Sequence, residues 1–172
     1  MITFEQAFAR LIGIESSYTN DVRDKGNWTG GAIGVGVCKG TKYGIAASSY
    51  PKLDIKNLTI DQAKMIYQTD WWDAIGAEKL PTAVIYQIWD FGINSGLVTA
   101  KMQLQKAIGV AADGVIGSVT IAKINTMDLS DVLMLYIAQR ITFYTALSSW
   151  PTYGKGWINR MAVNLRYAAV DN

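Results

Sequence analysis

Glu15, Asp21, Asp24 and Thr41 lie close together along one polar, glycine-rich stretch of the chain. A carboxylic acid, a second carboxylate and a water-holding hydroxyl are the parts from which glycoside hydrolysis is assembled. Glu15 stands eleven residues after Phe4, three turns of helix on, along the stripe formed by Phe4, Ala7, Phe8, Leu11 and Ile12. A carboxyl group at the end of a buried face loses hydration, which raises its pKa and keeps a proton on it for a leaving oxygen. A glutamate that caps the helix or pairs with a cation fits the same position, and position alone ranks the two readings equally. Asp24 follows on a polar turn and Thr41 opens a strand-like run, so acid, carboxylate and hydroxyl can converge on one cleft. Asp21 competes with Asp24 for the second carboxylate role, and spacing does not choose between them.

What is missing from the 172 residues narrows the chemistry further. There is no histidine, which excludes Ser-His-Asp and Cys-His hydrolases and the His-Glu-x-x-His metalloproteases. The one cysteine, Cys38, forms no internal disulfide and has no imidazole to activate it. No metal site and no cofactor are expected. A net charge of +2 is too small to point to nucleic acid. Residues 1–95 carry nine Lys/Arg against ten Asp/Glu, and residues 96–172 carry seven against four, so the second half is mildly basic. The first twenty residues lack the pattern of a signal peptide, and no apolar run reaches the ~18–20 residues of a membrane span. A protein made soluble in the cytoplasm and not inserted stably in a membrane is expected; if it acts on a cell wall, something else must release it.

These side chains need elements to position them. Thr3 with Gln6 reads as the capping box of a first helix, and Thr59 with Gln62 as that of another carrying Ala63, Ile66, Tyr67 and Trp71. Ile33, Val35 and Val37 alternate with glycines, as do Thr41, Tyr43 and Ile45 with their neighbours, which predicts a β-hairpin turning at Lys39-Gly40. Gly31 and Gly36 have phosphate-loop spacing, but Val37-Cys38 stands where Lys-Ser/Thr is needed. Pro81 suits the first turn of a helix containing Val84, Ile85, Ile88, Trp89 and Phe91, apolar on more than one side and hence central. It ends near Asp90 and Asn94, which either reach the cleft or close the helix with Gly96. Residues 97–108 predict a helix with Val98, Met102, Leu104 or Gln105, and Ile108 inward, and residues 118–124 a short one. The longest helix is expected from Asp128 to about Ser149, ended by Trp150-Pro151. A last helix after Trp157 is expected to bury Ile158, Met161, Ala162, Leu165 and Ala169.

Glu15-Ser-Ser-Tyr18, Asp21, Asp24, Gly26 and Thr41-Lys-Tyr-Gly44-Ile45 together resemble the signature of the glycoside hydrolase family 108 muramidases found among phage endolysins. Ser16 and Ser17 stand where that signature has glycines, and residues 27–39 form an insertion. Asp90-Phe-x-x-Asn94-x-Gly96 continues the resemblance. Residues 104–120, with their Leu-Gln-x-Ala-x-Gly and Asp-Gly-x-Ile-Gly-x-x-Thr runs, resemble the peptidoglycan-binding half attached to these enzymes. Arg140, Phe143, Tyr144, Lys155, Trp157 and Arg160 match as well, so most of the chain is covered.

The resemblance implies a mainly α, lysozyme-like fold of about seven helices with a small β-hairpin lobe. One compact domain, 1–172, is expected, with a catalytic lobe over 1–95 and a helical lobe over 96–172. The implied activity is that of an endolysin hydrolysing the β-1,4 bond between N-acetylmuramic acid and N-acetylglucosamine of peptidoglycan. Glu15 is then the general acid, with Asp24 and Thr41 as its catalytic partners. Asp21, Tyr18, Trp28, Tyr43 and Asn94 are the candidate substrate-binding residues. A monomer with peptidoglycan as its partner is expected. Two other readings stand beside this one: a lytic transglycosylase using Glu15 alone, and a non-catalytic peptidoglycan-binding protein. Inverting and retaining outcomes both stay open.

Overall fold

A computed structural model of the chain describes residues 2–12, 17–76 and 78–172. It is mainly helical with one small antiparallel sheet, as expected. Two compact units are present, Phe4–Thr69 and Met1–Thr3 with Asp70–Asn172. No helix among the described residues is long and apolar enough to cross a membrane.

The first unit begins with α1, Phe4–Ile12, which buries Ala7, Phe8 and Leu11. α2, Ile60–Ile66, starts with the predicted capping box, Thr59 Oγ1 accepting from Gln62 N at 3.2 Å and Gln62 Oε1 accepting from Thr59 N at 2.9 Å. The chain continues as a π-helical turn over Tyr67–Trp72. Phe8 and Tyr67 meet with ring centroids 6.0 Å apart, and Glu5 pairs with Lys64. Helix α1 is thereby fastened to α2 and the turn that follows it.

Between these helices, β1, Thr41–Lys42, pairs with β2, Ile45–Ala46. The hairpin lies one step later than the alternation predicts. Ile33, Val35 and Val37 are solvent-exposed, and Gly31, Gly34 and Gly36 have φ of 73°, 79° and 79°. Left-handed residues at that spacing cannot lie in an extended strand. The hairpin turn is instead Tyr43-Gly44, with φ of 53° and 74°. Two positive φ values are what a tight turn matching the strand twist requires. Tyrosine is a costly occupant of the first position, and Tyr67 Oη donates to the Tyr43 carbonyl at 2.9 Å, tying the turn to the helical layer.

The second unit is built on α3, Thr82–Ser95, in which every residue from Ala83 to Gly92 is buried. It packs against α4, Leu97–Ile108; α6, Leu129–Thr145; and α7, Trp150–Asp171, while α5, Ser118–Asn125, packs on α4. A boundary after residue 95 therefore separates α3 from the helices that cover it, whereas the two units divide between Thr69 and Asp70. Within α4, Leu104, Gln105 and Ile108 are buried as expected, whereas Val98 is 64% exposed and Gln103 is buried. Gln105 earns its place by bonding Asp113, Val115, Gly114 and Thr120, which folds the Asp-Gly loop onto α4.

Trp150-Pro151 opens α7 rather than closing α6, which stops at Thr145. Proline in a first helical turn lacks only an N–H that would have had no intrahelical partner. The helix then runs through Gly154, where a Cβ would come within 2.7 Å of the Trp150 ring. The indole of Trp157 stacks on Tyr144 at 4.7 Å. Of the expected stripe on α7 only Met161 is fully buried, and Gly154, Asn164 and Ala168 share its face.

That rotation of α7 has an electrostatic cause. Asp90, buried on α3, accepts from Arg160 Nε at 2.8 and 2.7 Å and from Asn164 Nδ2 at 2.9 Å. Arg140 from α6, also buried, brings Nη2 to 3.6 Å. Burial pushes the Asp90 carboxyl upward, but the Arg140 and Arg160 charges and the bonds from Arg160 and Asn164 outweigh it, leaving the group below its ordinary range. A depressed folded-state pKa stabilises the protein above the ordinary carboxylate pKa, and that contribution disappears as pH falls through the folded value. Unfolding temperature should therefore fall as the protein is taken below about pH 4, and Asp90→Asn should flatten that acid limb. Asp90→Ala strands two arginines and should cost about 3–5 kcal/mol in urea unfolding.

Candidate active site

Residues 17–47 carry most of the site residues expected from the sequence. Thr19 and Thr41 exchange backbone bonds of 2.9 and 2.8 Å, which brings the segment after Glu15 alongside the hairpin. Gly40 permits this, since with φ of +84° a Cβ there would lie 2.4 Å from the Thr19 carbonyl and 2.6 Å from the Tyr18 ring. Tyr18 Oη donates to the Lys39 carbonyl at 3.2 Å. Asp24 caps a single 3₁₀ turn, Lys25–Asn27, by accepting from Gly26 N at 2.8 Å.

At the centre stands Asn27, wholly buried. Its Nδ2 donates to the Asp21 carbonyl at 3.0 Å, and its Oδ1 accepts from Thr41 Oγ1 at 2.7 Å. Its backbone carbonyl accepts from Lys39 N at 2.9 Å and Gly40 N at 3.1 Å, and its own N–H donates to Asp24 O at 3.1 Å. One side chain thus joins the Asp21–Asp24 turn to the hydroxyl of Thr41. Because that hydroxyl gives its proton to Asn27, what it offers outward is lone pairs, an acceptor for a water O–H. Sequence reasoning passed over Asn27. Its signal was weak: an asparagine among glycines reads as an ordinary turn residue.

The two aspartates have different surroundings. Asp21 is gripped by Arg23, whose Nε and Nη2 lie 2.9 and 2.7 Å from its oxygens. The bonds from the Arg23 side chain and backbone, helped by its charge, lower the Asp21 pKa to about 2. Asp24 is exposed, and no lysine or arginine among the described residues pairs with it. Trp28 is half-buried, with its indole N–H donating to the Val22 carbonyl at 2.9 Å. The Tyr43 ring sits at the hairpin tip with Lys42 Nζ 5.3 Å from its centroid.

Asn94 belongs to the other unit, where it is exposed and its Nδ2 donates to the Asp90 carbonyl one turn back at 2.8 Å. Glu15 lies outside the described residues. Among the described residues no three His, Cys, Asp or Glu side chains are placed to hold a metal ion.

The chain is similar to a solved structure of Brucella abortus SagA, with 27% identity over 97% of this chain and 94% of that one and a TM-score of 0.80. That similarity gives the helices and small sheet a lysozyme-like architecture. No curated protein matches the chain. The model of the glycosyl hydrolase 108 family matches residues 8–96, a stretch that takes in the second half of α1, the Asn27-centred loop, the hairpin and α3. On that match, which covers more than half of its length, the chain belongs to the glycosyl hydrolase 108 family.

Proposed function

We propose that the protein is a muramidase that cuts the β-1,4 bond between N-acetylmuramic acid and N-acetylglucosamine. In a phage this is the activity of an endolysin. The observation that carries the reading is the Asn27 linkage, which holds the Asp24 turn and the Thr41 hydroxyl on one frame in the segment that follows Glu15. Glu15 protonates the glycosidic oxygen as the sugar takes on oxocarbenium character. Asp24, exposed and without a cationic partner among the described residues, deprotonates the incoming water or stabilises the developing positive charge. Thr41 accepts one O–H of that water. Tyr18, Trp28 and Tyr43 line the approach for the saccharide, and Asp21 serves the loop through Arg23.

Glu15→Gln removes the transferable proton with little change of shape, so clearing of outer-membrane-stripped cells should drop by about 10²–10⁴-fold at nearly unchanged unfolding temperature. Full clearing by this variant ends the assignment of Glu15. Mass spectrometry of the muropeptides released by the unaltered protein separates the chemistries, since hydrolysis leaves reducing ends and a transglycosylase leaves 1,6-anhydro ends. A protein that sediments with walls and releases nothing is a binding module.

Asp24→Asn should lower kcat far more than Asp21→Asn, whose carboxylate is already committed to Arg23. The opposite ranking moves the second carboxylate to Asp21. Tyr43→Asn places at the turn a residue that tolerates left-handed backbone, and should raise stability by up to about 1 kcal/mol. Loss of the ring should raise KM for the glycan in the same variant. A lowered melting temperature contradicts the strain account, and an unchanged KM removes Tyr43 from the saccharide path.

A further inference from the structure

One residue before the Thr19–Thr41 pairing, Tyr18 forms part of the wall of a cavity of about 320 Å³. Cys38, Lys39, Lys52, Asp54 and Lys56 line it as well. Three lysines against one aspartate leave its lining two charges positive. Lys39 Nζ donates to the Pro51 carbonyl at 2.7 Å, which draws the following loop against the Cys38-Lys39 segment. The side chains of Lys52 and Lys56 are exposed, and among the described residues neither ammonium is in an ion pair or hydrogen bond. Asp54 accepts from Asn57 Nδ2 at 2.9 Å, and its carboxyl, held below the ordinary range by that side chain first and by the Lys39 and Lys56 charges as well, offsets one of the three positive charges. Fixed positive charge in a concave site raises the local concentration of anions.

We propose that this cavity receives a carboxylate-bearing peptide, the stem that peptidoglycan carries on its muramic acid. The inference rests on the muramidase reading, because the glycan must lie along the Asp24–Thr41 loop for its peptide to reach the lysines. The geometry suits it. Gly40 alone separates Lys39 from Thr41, a reach of at most about 7 Å, and a peptide extends roughly 3.3–3.6 Å per residue. The second or third stem residue therefore arrives at the cavity while the sugars occupy the loop. Lys52 and Lys56 share the lining with Tyr18 and Ile55, two cations beside apolar surface, which fits carboxylates spaced along a peptide.

Cys38 makes occupancy measurable, being the chain's one cysteine and half-buried in the same lining. Its alkylation by uncharged iodoacetamide, followed by mass, should slow about threefold when L-alanyl-D-isoglutamyl-L-lysyl-D-alanine is present at twice its Kd. The double substitution Lys52→Gln with Lys56→Gln should abolish that protection at an unchanged unfolding temperature. Absence of protection in the unaltered protein overturns the proposal. Inorganic phosphate protecting as well as the peptide overturns it too, and makes the cavity a phosphate site. In turnover, the ratio of kcat/KM on peptide-bearing wall to that on amidase-stripped glycan should fall about fivefold in the double variant, and an unchanged ratio overturns the proposal. Unaltered protein that cuts neither substrate overturns the muramidase reading alone, since the alkylation arm decides the peptide site without catalysis.

Discussion

The buried amide of Asn27 is the constraint on which the first unit's loop geometry depends. The segment from Thr19 to Thr41 is rich in glycine and places Ile33, Val35 and Val37 in solvent, so apolar burial cannot define its shape. Glycine-rich backbone also loses more conformational entropy on ordering than any other. Hydrogen bonding to a group hidden from water supplies the missing constraint. An amide left unpaired in that position costs about 1–3 kcal/mol for each lost partner, so loop conformations that fail to deliver the Asp21 carbonyl and the Thr41 hydroxyl together are disfavoured. The loop's conformation is selected by what Asn27 requires.

The second unit solves the same problem with charge. Asp90 on α3 would be expelled from a helix that is buried on every side, were it not met by Arg160 and Asn164 from α7 and by Arg140 from α6. Arg140 also lies over the Phe91 ring, 4.6 Å from its centroid, which gives the guanidinium a second favourable contact away from water. An ion pair of this kind does more to select a packing than to deepen its stability. It fixes which face of α7 turns inward, because Arg160 and Asn164 must both reach one carboxylate.

This explains which parts of the fold were legible in the sequence. The span of α4, the capping box of α2 and the central place of α3 follow from local signals: periodicity, cap chemistry and apolar residues all round. The face of α7 does not, because hydrophobic spacing selects Ile158 and Leu165 while a buried polar contact selects Asn164. Trp150-Pro151 is ambiguous for a different reason, since proline marks the outside of one helix and the first turn of the next with equal force. The hairpin slipped because alternation counts side chains and ignores backbone handedness, which Gly31, Gly34 and Gly36 reverse. For the candidate site, the motif points to Asp24 and Thr41, whereas Asn27, which connects their segments, belongs to no spacing rule and is visible only through its partners.

The pair Asp21 and Asp24 shows where residue type stops and environment begins. Both are exposed aspartates on one turn, and nothing in their spacing separates them. Arg23 does, by occupying both oxygens of Asp21 and holding its proton affinity far below the ordinary range. A carboxylate in that state is a poor base and already has its counter-charge, so it has little to offer a water or an oxocarbenium ion. Asp24 spends one oxygen on Gly26 N, a bond that orients the carboxylate without neutralising it. The same three-residue step thus yields one group committed to its arginine and one without a cationic partner among the described residues, and the arginine between them makes the difference.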